Sequence, residues 1–409
     1  MINLLNKDSE IRKLLVVGID ATSVSLSASK GGFEVFSADY FGDLDLKRYC
    51  NVSSSLREHG LLSSSNDISS EEKMQALVKI AAGIISDHGI DGILLASGLE
   101  DYPDALAELH DLSPILGNTP EAIGRARDWR KLFREIRRKK VLHPETEIAE
   151  NLGEAKKAAR DLGYPVLLKP SRGCGGTNIS LARGTDELEA NYLLHACEGK
   201  EMLVQKYLRG INASASLIAT RNKAKVICLT EQMIGEPKLG QRNPFGWCGN
   251  IVPLVVSEEP AQDSIRQIAM IAEDLHLTGS NGIDFILQDN GLPCIIEVNP
   301  RFQETIECID RHLSTNVVKI HLDACLKNKM PQDYDEGQFW TRLLLFASET
   351  LHLKKRLRGE AIRNVPSRDS VILKGDPICS IVASGKSRRT SLANAYNRIR
   401  DVRRLLSSP

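Results

Sequence analysis

No stretch of this sequence approaches the roughly eighteen consecutive apolar residues that a membrane-spanning helix needs, so no transmembrane segment is expected. Excess charge is missing too. The 53 basic residues balance the 53 acidic ones, which removes any general pull toward nucleic acid or a lipid surface. The nine cysteines are scattered at Cys50, Cys174, Cys197, Cys228, Cys248, Cys294, Cys308, Cys325 and Cys379, and none stands in a Cys-x-x-Cys pair. That dispersal argues against a disulfide framework and against a zinc site. The stretch from Met1 to Lys13 is polar, and the apolar run behind it, Leu14 to Ile19, is too short for a signal peptide. Internal repeats and low-complexity tracts are absent as well. What remains is a globular protein expected in the cytoplasm, with a composition of 42% apolar and 26% charged residues. A length of 409 residues suggests roughly two or three domains around a large core.

The apolar segments are organised. Leu14 to Asp20, Phe33 to Ala38 and Gly92 to Ala96 read as strands, and Glu71 to His88 has helical spacing. Strand, helix and strand in that order predict a parallel α/β layer. The first turn, Gly18 to Ser23, lacks a Gly-x-Gly-x-x-Gly fingerprint, so no dinucleotide site is expected there despite Asp39 downstream. Thr119 and Pro120 start a helix as N-cap and first-turn proline, and it carries Arg125, Arg127, Arg130 and Lys131. His143-Pro144 ends that pattern, and a new helix begins near Asn151. Strands follow at Val166 to Pro170, Ile179 to Ala182, Met202 to Leu208, Ser214 to Ala219 and Lys225 to Leu229. Beyond residue 315, Asn316 to Leu326 has helical spacing and Leu343 to Ala347 is an apolar strand. Asn364 to Val382 reads as short strands around Gly375-Asp376-Pro377, and a basic helix covers Ser391 to Leu406. Its Arg398, Arg400, Arg403 and Arg404 are expected on a solvated face.

The most informative stretch is Gly282 to Leu287, a short turn, and Ile295 to Phe302. Asn290-Gly291 between alternating hydrophobics is a strong hairpin signal. With these two as the central turn residues, Leu292 faces Asp289 and Glu297 falls directly opposite Asp284. Asn299 shares their face, because strand side chains alternate. Two carboxylates side by side on apolar strands repel one another unless something offsets them. A hard cation such as Mg²⁺, which favours oxygen ligands, would do so. Arg301 follows where a phosphate or carboxylate could be gripped.

A second feature points the same way. Lys169 ends an apolar strand immediately before the loop Ser171 to Asn178, which contains Gly173, Gly175 and Gly176. A lysine there can hold phosphate oxygens while backbone N–H groups of the loop close over them. The order differs from a Walker loop, since the lysine precedes the glycines.

In this order of motifs the chain resembles the ATP-grasp superfamily, and within it the predicted carboligases related to biotin carboxylase. The resemblance covers roughly Pro120 to Cys308 and adds the N-terminal α/β layer. It implies an α/β fold: a Rossmann-like preATP-grasp domain over 1–118, then a two-lobed ATP-grasp domain over 119–330. The small lobe would span about 140–205 and the large lobe about 206–330. Residues 331–409 would complete the large lobe or form a small strand-rich domain with a terminal helix. By the same resemblance Lys169 contacts the α- and β-phosphates of ATP, and the loop Arg172, Gly173, Gly175, Gly176 and Thr177 covers them. Gln205, Lys206, Tyr207 and Leu208 form the hinge, with backbone of Lys206 and Leu208 at the adenine edge. Asp284, Glu297 and Asn299 hold Mg²⁺, for which Mn²⁺ can substitute, and Arg301 steadies a phosphorylated intermediate.

Two positions depart from the family pattern. Asp128 is followed by Trp129 where a phosphate-binding lysine is usual, leaving Arg127 or Lys131 to supply the charge. Asn212 stands where many members have a ribose-binding glutamate, and its amide can still hydrogen-bond a hydroxyl. The implied reaction is ligation: a small-molecule carboxylate is activated as an acyl phosphate and captured by an amine or other nucleophile, with ADP and phosphate released. A bicarbonate-using enzyme is the alternative, and it would need a separate carrier because no Met-Lys-Met biotinylation site is present. A non-catalytic nucleotide sensor is the other. Neither nucleic acid nor membrane is expected as a partner, and a homo-oligomer stays open. Cys174 reads as incidental; Lys238, Arg242 and Trp247 to Asn250 are candidates for the acceptor pocket; His276 and His312 read as packing or surface residues.

Overall fold

The computed structural model describes residues 11–62, 68–173, 175–195, 201–256 and 259–407. Cys174 in the glycine-rich loop and Cys197 lie outside them. The N-terminal layer is a four-stranded parallel sheet in the order β3-β2-β1-β4, built from β1 (Lys13–Gly18), β2 (Glu34–Asp39), β3 (Val52–Ser55) and β4 (Gly92–Leu95). Leu14, Leu15, Val16 and Val17 are all fully buried, as a parallel strand covered on both faces requires. Three helices accompany it, α1 (Thr22–Lys30), α2 (Ser70–His88) and α3 (Pro103–Leu112). A capping box between Ser69 and Glu72 opens α2. The segment of α1 carried no helical periodicity because Thr22 to Ala28 are buried all round, and an enclosed helix has no polar face to mark its turn.

The basic segment after Thr119 forms two helices, α4 (Pro120–Arg127) and α5 (Trp129–Arg138), where one was expected. Asp128 causes the break by accepting a hydrogen bond from the Lys131 amide at 3.1 Å, so it caps the second helix. The small lobe then holds the antiparallel sheet β5-β8-β6-β7. Its strands are β5 (Thr146–Ala149), β6 (Val166–Pro170), β7 (Ser180–Ala182) and β8 (Met202–Lys206), covered by α6 (Leu152–Leu162) and α7 (Thr185–His195).

An eight-stranded antiparallel sheet forms the large lobe, in the order β13-β12-β9-β10-β11-β14-β18-β16. It comprises β9 (Ile211–Ala219), β10 (Ala224–Ile234), β11 (Trp247–Val252), β12 (Gly279–Leu287), β13 (Pro293–Asn299), β14 (Phe339–Phe346), β16 (Ile362–Arg363) and β18 (Pro377–Gly385). The C-terminal strands thus pair onto the sheet through β11–β14. Helices α8 (Glu259–Asp274), α9 (Ile306–His312) and α10 (Val317–Lys327) lie in the same region, and β15 (Leu351–His352) and β17 (Val371–Ile372) make a small ribbon. The last helix, α11 (Arg388–Ser407), buries Ser391, Ala395, Ile399 and Val402 and leaves Arg398, Arg400, Arg403 and Arg404 exposed. Among the described residues no helix is long and apolar enough to cross a membrane.

One apolar core joins the parallel layer to the large lobe: Leu14, Val16 and Leu94 pack in a cluster with Ile218, Phe302 and Val318. At its polar edge lies Arg342 of β14, only 1% exposed. Its guanidinium donates to Asp20 Oδ2 at 2.9 Å, Asn364 Oδ1 at 2.8 Å, the Glu304 carbonyl at 2.7 Å and Ser23 Oγ. Removing one partner of a buried ion pair typically costs about 3–5 kcal/mol, because the other charge stays behind uncompensated. Arg342→Met is therefore expected to lower stability by about that much in urea denaturation at neutral pH. An unchanged midpoint would show that this junction does not hold the two halves together.

Candidate active site

The hairpin β12–β13 places Asp284 opposite Glu297 and Gly282 opposite Asn299. Its turn differs from the two-residue form expected. Gln288 pairs with Leu292 through a 3.1 Å hydrogen bond, so Asp289, Asn290 and Gly291 make a three-residue loop. Gly291 has φ +79°, the left-handed conformation that such a loop demands at its last position. This shifts the register by one residue, and a bulge between Asp284 and Phe285 shifts it back. The two irregularities cancel, and the carboxylates face each other.

Asp284 Oδ2 accepts a hydrogen bond from Asn299 Nδ2 at 3.0 Å, while Asp284 Oδ1 is a buried acceptor with no partner among the described residues. Burial and then the neighbouring Glu297 push the Asp284 carboxyl up to about 6. Glu297 in turn is ion-paired with Arg127 Nη1. Arg127 also donates from Nε to Asp101 Oδ1 at 2.7 Å and from Nη2 to Asp101 Oδ2 at 3.0 Å. Burial opposes its charge, but Glu297 and Asp101 outweigh it and raise the guanidinium further above its ordinary value. Lys131, the other candidate for this position, lies beyond the break at Asp128, half exposed and paired with Asp128 at 3.1 Å. Arg127 is the residue that lines the cavity.

Lys169 at the end of β6 is 5% exposed. Its Nζ stands 4.1 Å from the Trp129 ring centroid, a cation–π contact, and makes no hydrogen bond to a described residue. Burial pulls the ammonium down to about 8, with Glu297 and Asp284 opposing and Arg127 assisting. Trp129 Nε1 also donates to the Ser171 carbonyl at 2.6 Å, tying the start of the glycine-rich loop to the lysine. Gly173 N–H donates to Asp101 Oδ2 at 2.9 Å. Gly176 has φ +74°, and a Cβ there would run into the Phe245 carbonyl, so only glycine lets the loop dock on the 243–247 segment.

These groups line one cavity of about 950 Å³. It brings together Lys169, Gly173, Gly175, Gly176 and Thr177 with Gln205 to Leu208, Asn212, Asp284, Glu297, Asn299 and Arg301. Arg172 is not among them; its Nη1 turns away to the Asp101 carbonyl at 3.3 Å. At the hinge the Lys206 amide is engaged by the Glu145 carbonyl at 2.8 Å, and the lysine side chain holds the Leu162 and Gly163 carbonyls. Arg301 Nε donates to Glu100 Oε1 at 2.6 Å. Burial raises the Glu100 carboxyl, but Arg301 and Arg127 outweigh it and hold it below its ordinary value. Of the acceptor candidates, Trp247 and Asn250 reach the cavity and Lys238 and Arg242 do not. His276 and His312 also stay outside it, His312 bonding the Gln338 carbonyl at 3.0 Å.

The donor set fits a hard divalent cation. An orphaned carboxylate oxygen at Asp284, a second carboxylate at Glu297 and the Asn299 amide oxygen offer the all-oxygen partial shell that Mg²⁺ takes alongside water and phosphate. The same burial leaves Lys169 charged in a poor solvent, at a cost on the order of 3 kcal/mol for a shift from 10.5 to about 8. That cost is present below pH 8 and vanishes as pH rises toward the unfolded-state value. Lys169→Met is thus expected to raise the melting temperature of the ligand-free protein by a few degrees at pH 7. The gain should shrink between pH 8 and 10, as followed by thermal denaturation; a lower melting temperature at pH 7 would contradict it.

Residues 126–305 match the family of ATP-grasp domains. The chain is 26% identical over 378 residues to an uncharacterized protein of Methanocaldococcus jannaschii, an alignment spanning 91% of this chain and 88% of that one. It is also 26% identical over 215 residues to the carbamoyl phosphate synthase large chain of Xanthomonas campestris, covering 51% of this chain but 20% of that much longer one. In three dimensions it resembles the biotin carboxylase domain of Hydrogenobacter thermophilus 2-oxoglutarate carboxylase, solved with magnesium ADP and bicarbonate. The TM-score is 0.74 over 96% of this chain and 89% of that one, at 15% identity, which is a likeness of fold. The chain carries an ATP-grasp domain over residues 126–305, set in a mixed α/β fold of the biotin carboxylase kind.

Proposed function

We propose that this chain is an ATP- and Mg²⁺-dependent ligase that activates a small-molecule carboxylate as an acyl phosphate and passes the acyl group to an amine or other nucleophile. The observation that carries this reading is the orphaned Asp284 oxygen beside Glu297, in one cavity with Lys169, Arg127 and Arg301. A nucleotide sensor has no need of an arginine fixed by a buried glutamate beyond the phosphate end; a phosphoryl-transfer site does.

In this reading Lys169 and the amides of the loop at Gly173, Gly175, Gly176 and Thr177 hold the phosphates of ATP. The segment Gln205 to Leu208 faces the adenine, with Leu208 N–H having no partner among the described residues, and Asn212 faces the ribose. Asp284, Glu297 and Asn299 would hold Mg²⁺, which supplies charge neutralisation for the transferring phosphoryl group. A carboxylate oxygen of the substrate forms a bond to the γ-phosphorus as the bond to ADP breaks. Arg301, kept in place by Glu100, stabilises the charge that collects there. The nucleophile then bonds the acyl carbon and inorganic phosphate leaves. Positioning and electrostatics suffice for this chemistry, and no protein nucleophile is required.

The test is a phosphate-release screen over paired carboxylates and amines, with bicarbonate included and products identified by mass spectrometry. Release is expected to require Mg²⁺ and both substrates, and Glu297→Ala is expected to lower kcat by about 10²-fold or more. Full turnover by that variant would remove the metal assignment. Release with bicarbonate and no amine would reassign the chain to biotin-carboxylase-type chemistry.

A further inference from the structure

A buried ammonium on a long flexible stem needs something to hold it in one place. Lys169 is 5% exposed and makes no hydrogen bond to a described residue. Its Nζ lies instead over the Trp129 ring, 4.1 Å from the centroid. The negative face of an aromatic ring attracts a cation placed there, and more strongly where water is excluded. Both residues line the cavity.

Trp129 is itself immobilised. It is the first residue of α5, directly behind the Asp128 cap, and is buried. Its ring lies 5.3 Å from that of Phe133, which stacks on His143 at 5.2 Å and 19°. Ile136 and Leu203 pack in the same apolar cluster. The indole N–H donates to the Ser171 carbonyl at 2.6 Å. Ser171 is held through its own N–H as well, which donates to the Glu201 carbonyl at 3.3 Å, while the Glu201 carboxylate accepts from Arg130 at 2.6 and 3.1 Å. On the other side of the break at Asp128, Arg127 Nη2 donates to the Gly173 carbonyl at 3.3 Å. Residues around this helix break therefore grip the start of the glycine-rich loop, and one of them, Trp129, also carries the lysine.

We infer that Trp129 is a positioning residue of the phosphate end: its ring aims the Lys169 ammonium and its N–H sets the glycine-rich loop, so that lysine and loop meet the phosphates as one unit. The inference rests on the nucleotide reading above and goes beyond it, because Trp129 carries no charge and acts through its two neighbours. An ammonium has three N–H donors, and one seated on a ring face keeps donors free on the side away from the ring. Phosphate oxygens can therefore be bound without giving up the aromatic contact. With lysine and loop already in place, binding does not have to order them, and affinity rises accordingly.

The test is a double-mutant cycle read by isothermal titration of MgADP into the full chain at pH 7, using wild type, Trp129→Leu, Lys169→Met and the double variant. Trp129→Leu is expected to weaken MgADP binding about tenfold when Lys169 is present, from loss of the cation–π contact and of one hydrogen bond. In the Lys169→Met background the same change is expected to weaken it about threefold or less, the part that belongs to the loop. Should Trp129→Leu fail to fold, as judged by circular dichroism, Trp129→Phe takes its place. It keeps a less attractive ring and lacks the N–H, so the expected losses are about fivefold with the lysine and about twofold without it. Equal losses in the two backgrounds, or no loss when Lys169 is present, would make Trp129 a packing residue and overturn the inference. MgADP bound as tightly by Lys169→Met as by wild type would overturn it too. Failure of MgADP to bind wild type would overturn the nucleotide reading itself, and this inference with it.

Discussion

Three arginines from elements that follow the parallel layer reach into carboxylates at its end, and all three line the cavity. Arg127 takes Asp101, Arg301 takes Glu100 and Arg342 takes Asp20. The acids come from the turns after β1 and β4, where open parallel sheets present their ligand-binding crevice. Buried ion pairs of this kind add little net stability over a well-packed apolar contact, because desolvation offsets most of the attraction. What they contribute is position. Each fixes a guanidinium that also faces the cavity, so the junction between the two halves and the wall of the site are one set of contacts.

That arrangement explains why a chain of balanced composition holds such unbalanced local charge. Lys169 is drawn down, and Asp284 and Glu304 are pushed up. Each sits at odds with its surroundings in the absence of ligand. Sites built for ligands commonly carry such conflicts, which the rest of the fold stabilises against.

Sequence reading reached the parts of this site that are local. Asp284 and Glu297 were found opposite one another from a hairpin count, although the turn was taken as two residues and is three; the bulge at Asp284 restored the register. Lys169 was legible because a strand runs directly into the glycine-rich loop. The choice between Arg127 and Lys131 was not legible, since it depends on Asp128 ending one helix and capping the next. Nor were Trp129, Glu100, Asp101 and Arg342. Asp20 and Arg342 are 322 residues apart in the chain, and Glu100 and Arg301 are 201 apart. No periodicity or motif spans such separations, and each residue alone reads as an ordinary surface charge. Helix α1 was hidden for the opposite reason, being buried on every side.

Arg127 shows how the ligand-free arrangement prepares for the proposed chemistry. It is shared between Asp101 and Glu297, so Glu297 is already ion-paired, while Asp284 Oδ1 is buried without a hydrogen-bond partner among the described residues. A divalent cation entering with a nucleotide would meet the unsatisfied oxygen first and find the second carboxylate held beside it. The phosphates that accompany it would give Lys169 a hydrogen-bonded anion, which no described residue supplies. Charges of both signs would then be satisfied together, whereas either partner alone would leave one conflict standing. In the proposed reading this coupling would make metal and nucleotide a single ligand for the site.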